Sequence, residues 1–321
     1  MKTTRREFLA TSACATAALS VPLRAFAQMN SPFKLSVITN EISEDFDHAC
    51  SVAAKDFGLQ WVELRTLWGK NITDLASDDL ARARAILAKY NLRVTDIASP
   101  LFKVDWPGAP LSKESPRHDQ FHADFDFKQQ DKLLDHCIEL TQAFSTDRIR
   151  CFDFWRLEDQ KPYREAINRK LGEAAQVCAQ HNLILLLENE MACNTATGEE
   201  AAATLKAVPE QNFMLNWDPG NAATFTGNIP YPDGYRLLPI RRIGHCHAKS
   251  VIRKSDSKWE WAPVGEGVVD WVGQLRALKR DGYRFAVSLE THWRGAGTPE
   301  ASTRISMKGL KEALAKAGTG C

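Results

Sequence analysis

Four short apolar runs, each ending in an acid or an imidazole, constrain this chain more than any other feature. Glu188 follows 183–187 (LILLL), Asp218 follows 213–217 (FMLNW), His247 closes 243–247 (IGHCH) and Glu290 follows 285–289 (FAVSL). The spacings are 30, 29 and 43 residues, about one strand–helix unit each if the last unit carries an extra loop. A polar group that repeatedly ends a buried strand is costly unless something pairs with it. On successive parallel strands the four would converge on one point. Two Glu, one Asp and one His are a hard-to-borderline donor set, suited to Mn²⁺, Co²⁺, Mg²⁺ or Zn²⁺. A metal-dependent enzyme is the reading that follows.

The rest of the chain alternates strand and helix around these runs. Expected strands are 35–39, 61–64, 92–97, 148–152, 183–187, 213–217, 242–247 and 285–289. Expected helices are 45–57, 74–90, 124–144, 162–181, 198–207, 270–281 and 299–317, with apolar residues at helical spacing such as Leu75, Leu80, Ala83 and Leu87. The strands are short and apolar, as when both faces of a sheet are covered. Strict alternation permits an open doubly wound sheet or a closed (β/α)8 barrel. Two features select an α/β fold with a single (β/α)8 TIM barrel. The first turn, Thr39-Asn40-Glu41-Ile42-Ser43, has no glycine to admit a pyrophosphate. The candidate ligands also end strands five to eight consecutively, which a barrel gathers on its C-terminal rim. An open sheet would spread them too widely for one ion.

Residues 1–27 are set apart from the fold. Thr4-Arg5-Arg6-Glu7-Phe8-Leu9 reads as a twin-arginine export signal, followed by a weakly apolar stretch and a small-x-small site at Ala25-Phe26-Ala27. The mature barrel domain is then 28–321, in the periplasm or secreted, delivered by the twin-arginine export machinery. The apolar stretch 10–21 is too short and too polar to cross ~30 Å of hydrocarbon, so no stable membrane anchor is expected. Losing Lys2, Arg5, Arg6, Arg24 and Glu7, a net +3, takes the formal charge from +1 to −2. Nothing in that balance points to nucleic acid or an anionic membrane. Cys14 leaves with the leader, and the other seven cysteines form no CxxC pair, so buried free thiols are expected. Self-association as a homo-oligomer is left open.

Five motifs carry a family resemblance. In order they are Glu188-Asn189-Glu190, Asp218-Pro219-Gly220-Asn221, His245-Cys246-His247-Ala248-Lys249, Gly265-Glu266-Gly267 and Leu289-Glu290-Thr291-His292. Together they resemble the xylose-isomerase-like TIM-barrel superfamily, the sugar isomerases and epimerases that include D-tagatose 3-epimerase and inosose dehydratase. The resemblance implies a divalent metal ion, Mn²⁺ before Co²⁺, Mg²⁺ or Zn²⁺, held by Glu188, Asp218, His247 and Glu290. It also implies that Glu188 and Glu290 combine ligation with acid–base work through a metal-stabilised enediolate. Asn221 and Arg253 fall on positions that touch substrate in the family. The family's His-x-Lys-Asp reads His247-Ala248-Lys249-Ser250 here, so local substrate contacts differ.

Further residues are candidates by position. His245 shares a strand face with His247 and is expected as a substrate contact or a support; Lys249, Glu63 and His292 are further candidate substrate contacts. Arg65, Asn40 and Glu41 end strands two and one. Trp68, Trp106 and Trp155 follow strands two, three and four, where an indole offers a platform for a sugar. The loop 250–267, with Arg253, Trp259 and Trp261, is expected to lie over the site as a lid or specificity element. The rim lacks a glycine-rich phosphate loop, which favours a neutral sugar or keto-sugar. Epimerisation, isomerisation and dehydration all fit these residues. Two rivals are a catalytically silent sugar-binding barrel and a phosphodiester-cleaving endonuclease-type enzyme, the latter needing more ligands and a basic groove.

Export makes a prediction of its own. Replacing both arginines, Arg5→Lys with Arg6→Lys, should hold the protein in the cytoplasm, because the receptor reads the arginine pair. Fractionation that finds the double variant exported normally refutes the targeting.

Overall fold

Eight parallel strands form one sheet that curls back on itself: β1 (Lys34–Val37), β2 (Trp61–Leu64), β3 (Arg93–Leu101), β4 (Arg148–Cys151), β5 (Ile184–Glu188), β6 (Phe213–Trp217), β7 (Ile243–Ala248) and β8 (Ala286–Leu289). This computed structural model describes residues 31–116, 121, 123–225, 228–255 and 258–319, so the expected leader and Cys321 lie outside the described residues. Each strand pairs in parallel with its successor from β2 to β8, and β8 pairs with β1. The ring closes through a parallel bridge between Ile38 and Glu63, beside the ends of β1 and β2. The α/β barrel expected from the alternation is the fold observed.

The outer layer is built from α1 (Phe46–Ser51), α2 (Ser77–Lys89), α3 (Gln130–Phe144), α4 (Arg164–Gln180), α5 (Gly198–Ala207), α6 (Pro219–Thr224), α7 (Trp271–Arg280) and α8 (Pro299–Lys316). Their starts are capped by side chains that accept orphaned backbone N–H groups: Asp45 on α1, Thr197 on α5, Asp218 on α6, Asp270 on α7 and Thr298 on α8. Alternate strand residues such as Val62, Leu64, Leu185, Leu187, Leu215 and Val287 are buried in the main apolar core. Among the described residues, no helix is long and apolar enough to cross a membrane. The six described cysteines are all buried and free, as expected.

Two boundaries differ from the sequence reading for identifiable reasons. Helix α3 starts at Gln130 rather than 124, because a 3-10 turn capped by Asp126 precedes it. Strand β3 runs on to Leu101 through Pro100, where the pairing with β4 is irregular between Ile97 and Leu101; a proline without an N–H is tolerated there.

A bulge in β7 sets the direction of the site residues. The register against β6 jumps from Leu215 opposite Ile243 to Asn216 opposite His245, leaving Gly244 extra. A Cβ on Gly244 would sit 2.7 Å from Leu186 Cδ2 and 3.0 Å from Met214 Cβ. Glycine therefore permits the bulge, and the bulge phases His245 and His247 inward. Gly244→Ala should destabilise the barrel by roughly 1–3 kcal/mol through overpacking, read as a lower urea midpoint. An unchanged midpoint would show that Leu186 and Met214 yield freely.

Candidate metal centre and its rim

Period-two alternation makes the upper barrel interior polar. Glu63, Asp96, Arg150, Glu188, Asn216, Asp218, His245, His247, Lys249 and Glu290 are all buried, from 0% to 4% exposed. Ligand atoms of Glu188, Asp218, His247 and Glu290 lie within 4.8 Å of one another. The Nδ1 of His247 is 3.2 Å from Glu188 Oε1, 3.1 Å from Glu290 Oε2 and 3.7 Å from Asp218 Oδ2. The structure thus brings these four side chains together.

The Asp218-Pro219-Gly220-Asn221 motif explains itself atom by atom. Asp218 Oδ1 accepts the Asn221 backbone N–H at 2.8 Å and caps α6, which leaves Oδ2 facing the cluster. Pro219 occupies the first helical position, where no N–H is needed. A Cβ on Gly220 would lie 2.2 Å from Lys249 Cγ, so glycine lets the lysine pass. Asn221 Nδ2 donates to Glu188 Oε1 at 3.2 Å, and its Oδ1 accepts from Lys249 Nζ at 3.1 Å.

Two arginines hold the outer carboxylates from behind. Arg150 Nη1 donates to Glu188 Oε2 at 3.0 Å, while its other nitrogens donate to the carbonyls of Ala98 and Ser99. Arg65 Nη1 donates to Glu290 Oε1 at 2.5 Å and its Nη2 to Glu41 Oε1 at 2.8 Å. Each glutamate keeps its second oxygen for the cluster. Lys249 Nζ lies 2.9 Å from Asp218 Oδ2 and also contacts Glu290 Oε2.

Negative charge is in excess here. Glu41, Glu63, Asp96, Glu188, Asp218 and Glu290 are buried against the buried cations Arg65, Arg150 and Lys249, with the partly exposed Arg294 as a further partner of Glu41. Burial pushes the Glu188 carboxyl up, but His247 and Arg150 outweigh it and hold it at about 2. Burial wins at Asp218: despite Lys249, and with Glu188 and Glu290 close by, it is pushed up to about 7. Burial and the Glu63 charge likewise raise Asp96 to about 6. Asp218 Oδ2 and Glu290 Oε2 make no hydrogen bond of normal geometry, although the Lys249 ammonium is near both. Convergent, under-satisfied carboxylate oxygens beside an imidazole nitrogen fit a divalent cation, which would reverse the local pKa logic.

The other expected residues divide into two groups. His292 is on the rim: its Nε2 is 3.2 Å from Glu290 Oε1, and its ring stacks on Trp261 with centroids 5.3 Å apart. With Asn221, Trp155, Trp259, Lys103 and Glu190 it borders a cavity of about 280 Å³, and two of these lining residues reach the cluster: Asn221 contacts Glu188 and His292 contacts Glu290. Glu63, a candidate substrate contact, and His245, expected as a substrate contact or a support, are fully buried, with His245 Nε2 3.2 Å from Glu63 Oε2. Arg253 is also engaged elsewhere, donating to the Ala223 and Phe225 carbonyls at 2.7 and 3.3 Å. The loop carrying it is an antiparallel hairpin, Ser250–Ser255 with Lys258–Ala262, which brings Trp259 and Trp261 to the rim. Of the three loop tryptophans, Trp155 borders the cavity, whereas Trp68 packs on Phe46 and Trp106 on Phe127 and Phe154. Sequence reasoning passed over Arg150 and Asp96; both lie mid-strand or inside expected strands, and alternation against the apolar neighbours was the signal that could have found them.

Known structures place this architecture among relatives. A xylose isomerase-like TIM barrel protein from Mycobacterium smegmatis in complex with magnesium is 15% identical, with a TM-score of 0.62 over 85% of this chain and 89% of that one. A probable 3-DHS dehydratase from Bacillus anthracis is 21% identical, with a TM-score of 0.64 over 86% and 98%. D-psicose 3-epimerase with D-tagatose from Clostridium cellulolyticum is 14% identical, with a TM-score of 0.61 over 89% and 98%. At these identities the likeness is one of fold. No curated protein matches significantly. The sequence pattern of the xylose isomerase-like TIM barrels matches residues 52–313, and the chain belongs to that family.

Proposed function

We propose that this protein is an exported, metal-dependent isomerase or epimerase of a sugar or keto-sugar. The observation that carries the reading is the convergence of ligand atoms of Glu188, Asp218, His247 and Glu290 within 4.8 Å, next to an indole-walled cavity whose Asn221 and His292 touch two of them. Structural neighbours whose names include an epimerase and a dehydratase support the same chemistry. When bound, a divalent cation would polarise a substrate carbonyl and acidify the adjacent C–H. The four residues would hold it, with Mn²⁺ the favoured ion and Co²⁺, Mg²⁺ or Zn²⁺ as alternatives.

The chain's own groups do the rest. Glu188 and Glu290 approach from β5 and β8, on either side of the ligands supplied by β6 and β7. Carboxylates flanking one carbon can remove a proton from one face and return one to the other. Arg150 and Arg65 keep each glutamate aimed, so little reorganisation accompanies the transfer. Asn221, held by Lys249 from behind, and His292 border the space where substrate hydroxyls would sit, and Trp155, Trp259 and Trp261 supply faces for its C–H surface. The alternative on the same site is a keto-sugar dehydratase, in which the deprotonated substrate would expel a β-hydroxyl as water instead of being reprotonated at carbon.

Incubating the enzyme with ketoses, inososes and 3-keto-glycosides in D₂O tests the reading. Solvent deuterium should enter one of them only when the protein is metal-loaded, and product analysis separates epimerisation from dehydration. Glu290→Gln should abolish exchange and most bound metal; exchange at the parental rate, or a protein that binds no divalent ion, would sink the proposal. Arg253→Ala distinguishes two roles for the hairpin. Because Arg253 ties it to the end of α6, the variant should lower kcat/KM about tenfold or less with metal content intact. A loss of metal in that variant would show that the hairpin supports the ligands themselves.

A further inference from the structure

Below the rim a buried chain of titratable groups backs His247, and three of its four members, Glu63, His245 and Asp96, have no part in the reaction proposed above. Glu63 Oε1 is 2.9 Å from His247 Nε2, and Glu63 Oε2 is 3.2 Å from His245 Nε2. His245 Nδ1 lies 3.5 Å from Asp96 Oδ1, which also accepts the Thr95 hydroxyl at 2.7 Å. Glu63, Asp96, His245 and His247 are all 0% exposed, and none of them lines the cavity.

We infer that Glu63 is the positioning residue for His247, and that His247 binds its cation through Nδ1. A neutral imidazole carries one N–H and one lone pair, and the hydrogen bond at one nitrogen decides which is which. Nδ1 faces Glu188, Asp218 and Glu290, so it must be the lone-pair nitrogen if a cation is shared with them. The proton then sits on Nε2 and needs an acceptor. Glu63 Oε1 supplies it, and His245 fixes Glu63 by its other oxygen. A competing acceptor is close: Asn216 Nδ2 lies 3.1 Å from the same Nε2, and a half-turn of that amide would bring its unpartnered Oδ1 there. Carboxylate support of this kind orients a ligating histidine and raises its basicity.

The inference rests on the metal-dependent reading above, and binding measurements separate the two. Mn²⁺ binding to the chelator-treated full-length protein is followed through the EPR signal of the free ion. Glu63→Leu should weaken binding about 10–100-fold, while Glu63→Gln, whose amide oxygen still accepts Nε2–H, should stay within about threefold of the parent. Parental affinity in Glu63→Leu would assign the orientation to Asn216 and overturn the inference, with the metal reading intact. Equal weakening in both variants would also overturn it, since charge rather than an acceptor would then matter. A parent that binds none of Mn²⁺, Co²⁺, Mg²⁺ and Zn²⁺, the last three read by metal analysis after dialysis, overturns both readings. One measurement needs no variant: nitrogen-15 NMR of the Zn²⁺-loaded parent should show His247 bound through Nδ1 and protonated at Nε2. The opposite assignment overturns the proposal even if Glu63→Leu fails to fold.

Discussion

The burial of six carboxylates at the mouth of one barrel is the constraint to which the rest of the upper molecule responds. Removing that much negative charge from water is costly unless each group is paired or neutralised. Arg150 behind Glu188, Arg65 between Glu290 and Glu41, and Lys249 beside Asp218 meet part of the demand. The remainder shows as the raised affinities for protons at Asp96 and Asp218. A divalent cation within the Glu188, Asp218, His247 and Glu290 cluster would offset it at the place where the under-satisfied oxygens point. On this view the arginines are part of the centre, because they leave one oxygen of each glutamate available.

Local sequence chemistry makes that arrangement attainable. The glycine at 244 lets β7 slip by one residue, and both histidines of the strand then face the interior. Asp218 serves two needs at once, closing the first turn of α6 with one oxygen and facing the cluster with the other. Glycine at 220 leaves the channel through which Lys249 reaches Asp218. The hairpin after β7 brings two indoles over the rim and is tied there by Arg253 to backbone carbonyls. Rigid strands thus carry the ligands, while a connecting segment shapes the access route, the usual division of labour in this fold.

Read from sequence, strand ends were easier to place than partners. Trp61–Leu64 and Phe213–Trp217 match the expected strands residue for residue, since short apolar runs bounded by polar residues leave little freedom. Helix α5 matches likewise, with its capping box at Thr197 and Glu200. From the sequence the segment 250–267 reads as a loop, although the alternation in Lys258–Ala262 is that of a strand. Arg253 reads as a substrate contact only through the family resemblance, and Glu63 reads as a rim residue because a polar side chain near a strand end looks like one from the sequence alone. Their actual partners, the Ala223 carbonyl and His247, lie 30 and 184 residues away. No local pattern encodes such a pairing.

The sequence by itself determined the alternation of eight strands with helices, the polar residue at the end of each of the last four strands, and hence the barrel and its rim. These follow from short-range rules: hydrophobic period, turn residues and capping. Only the tertiary structure decided which oxygen of each carboxylate is free, which nitrogen of His247 faces the cluster, and that Glu63 and His245 sit beneath the site. Those outcomes depend on strands distant in sequence meeting at the barrel interior, where burial sets a cost on every unpaired charge and selects the partner that meets it.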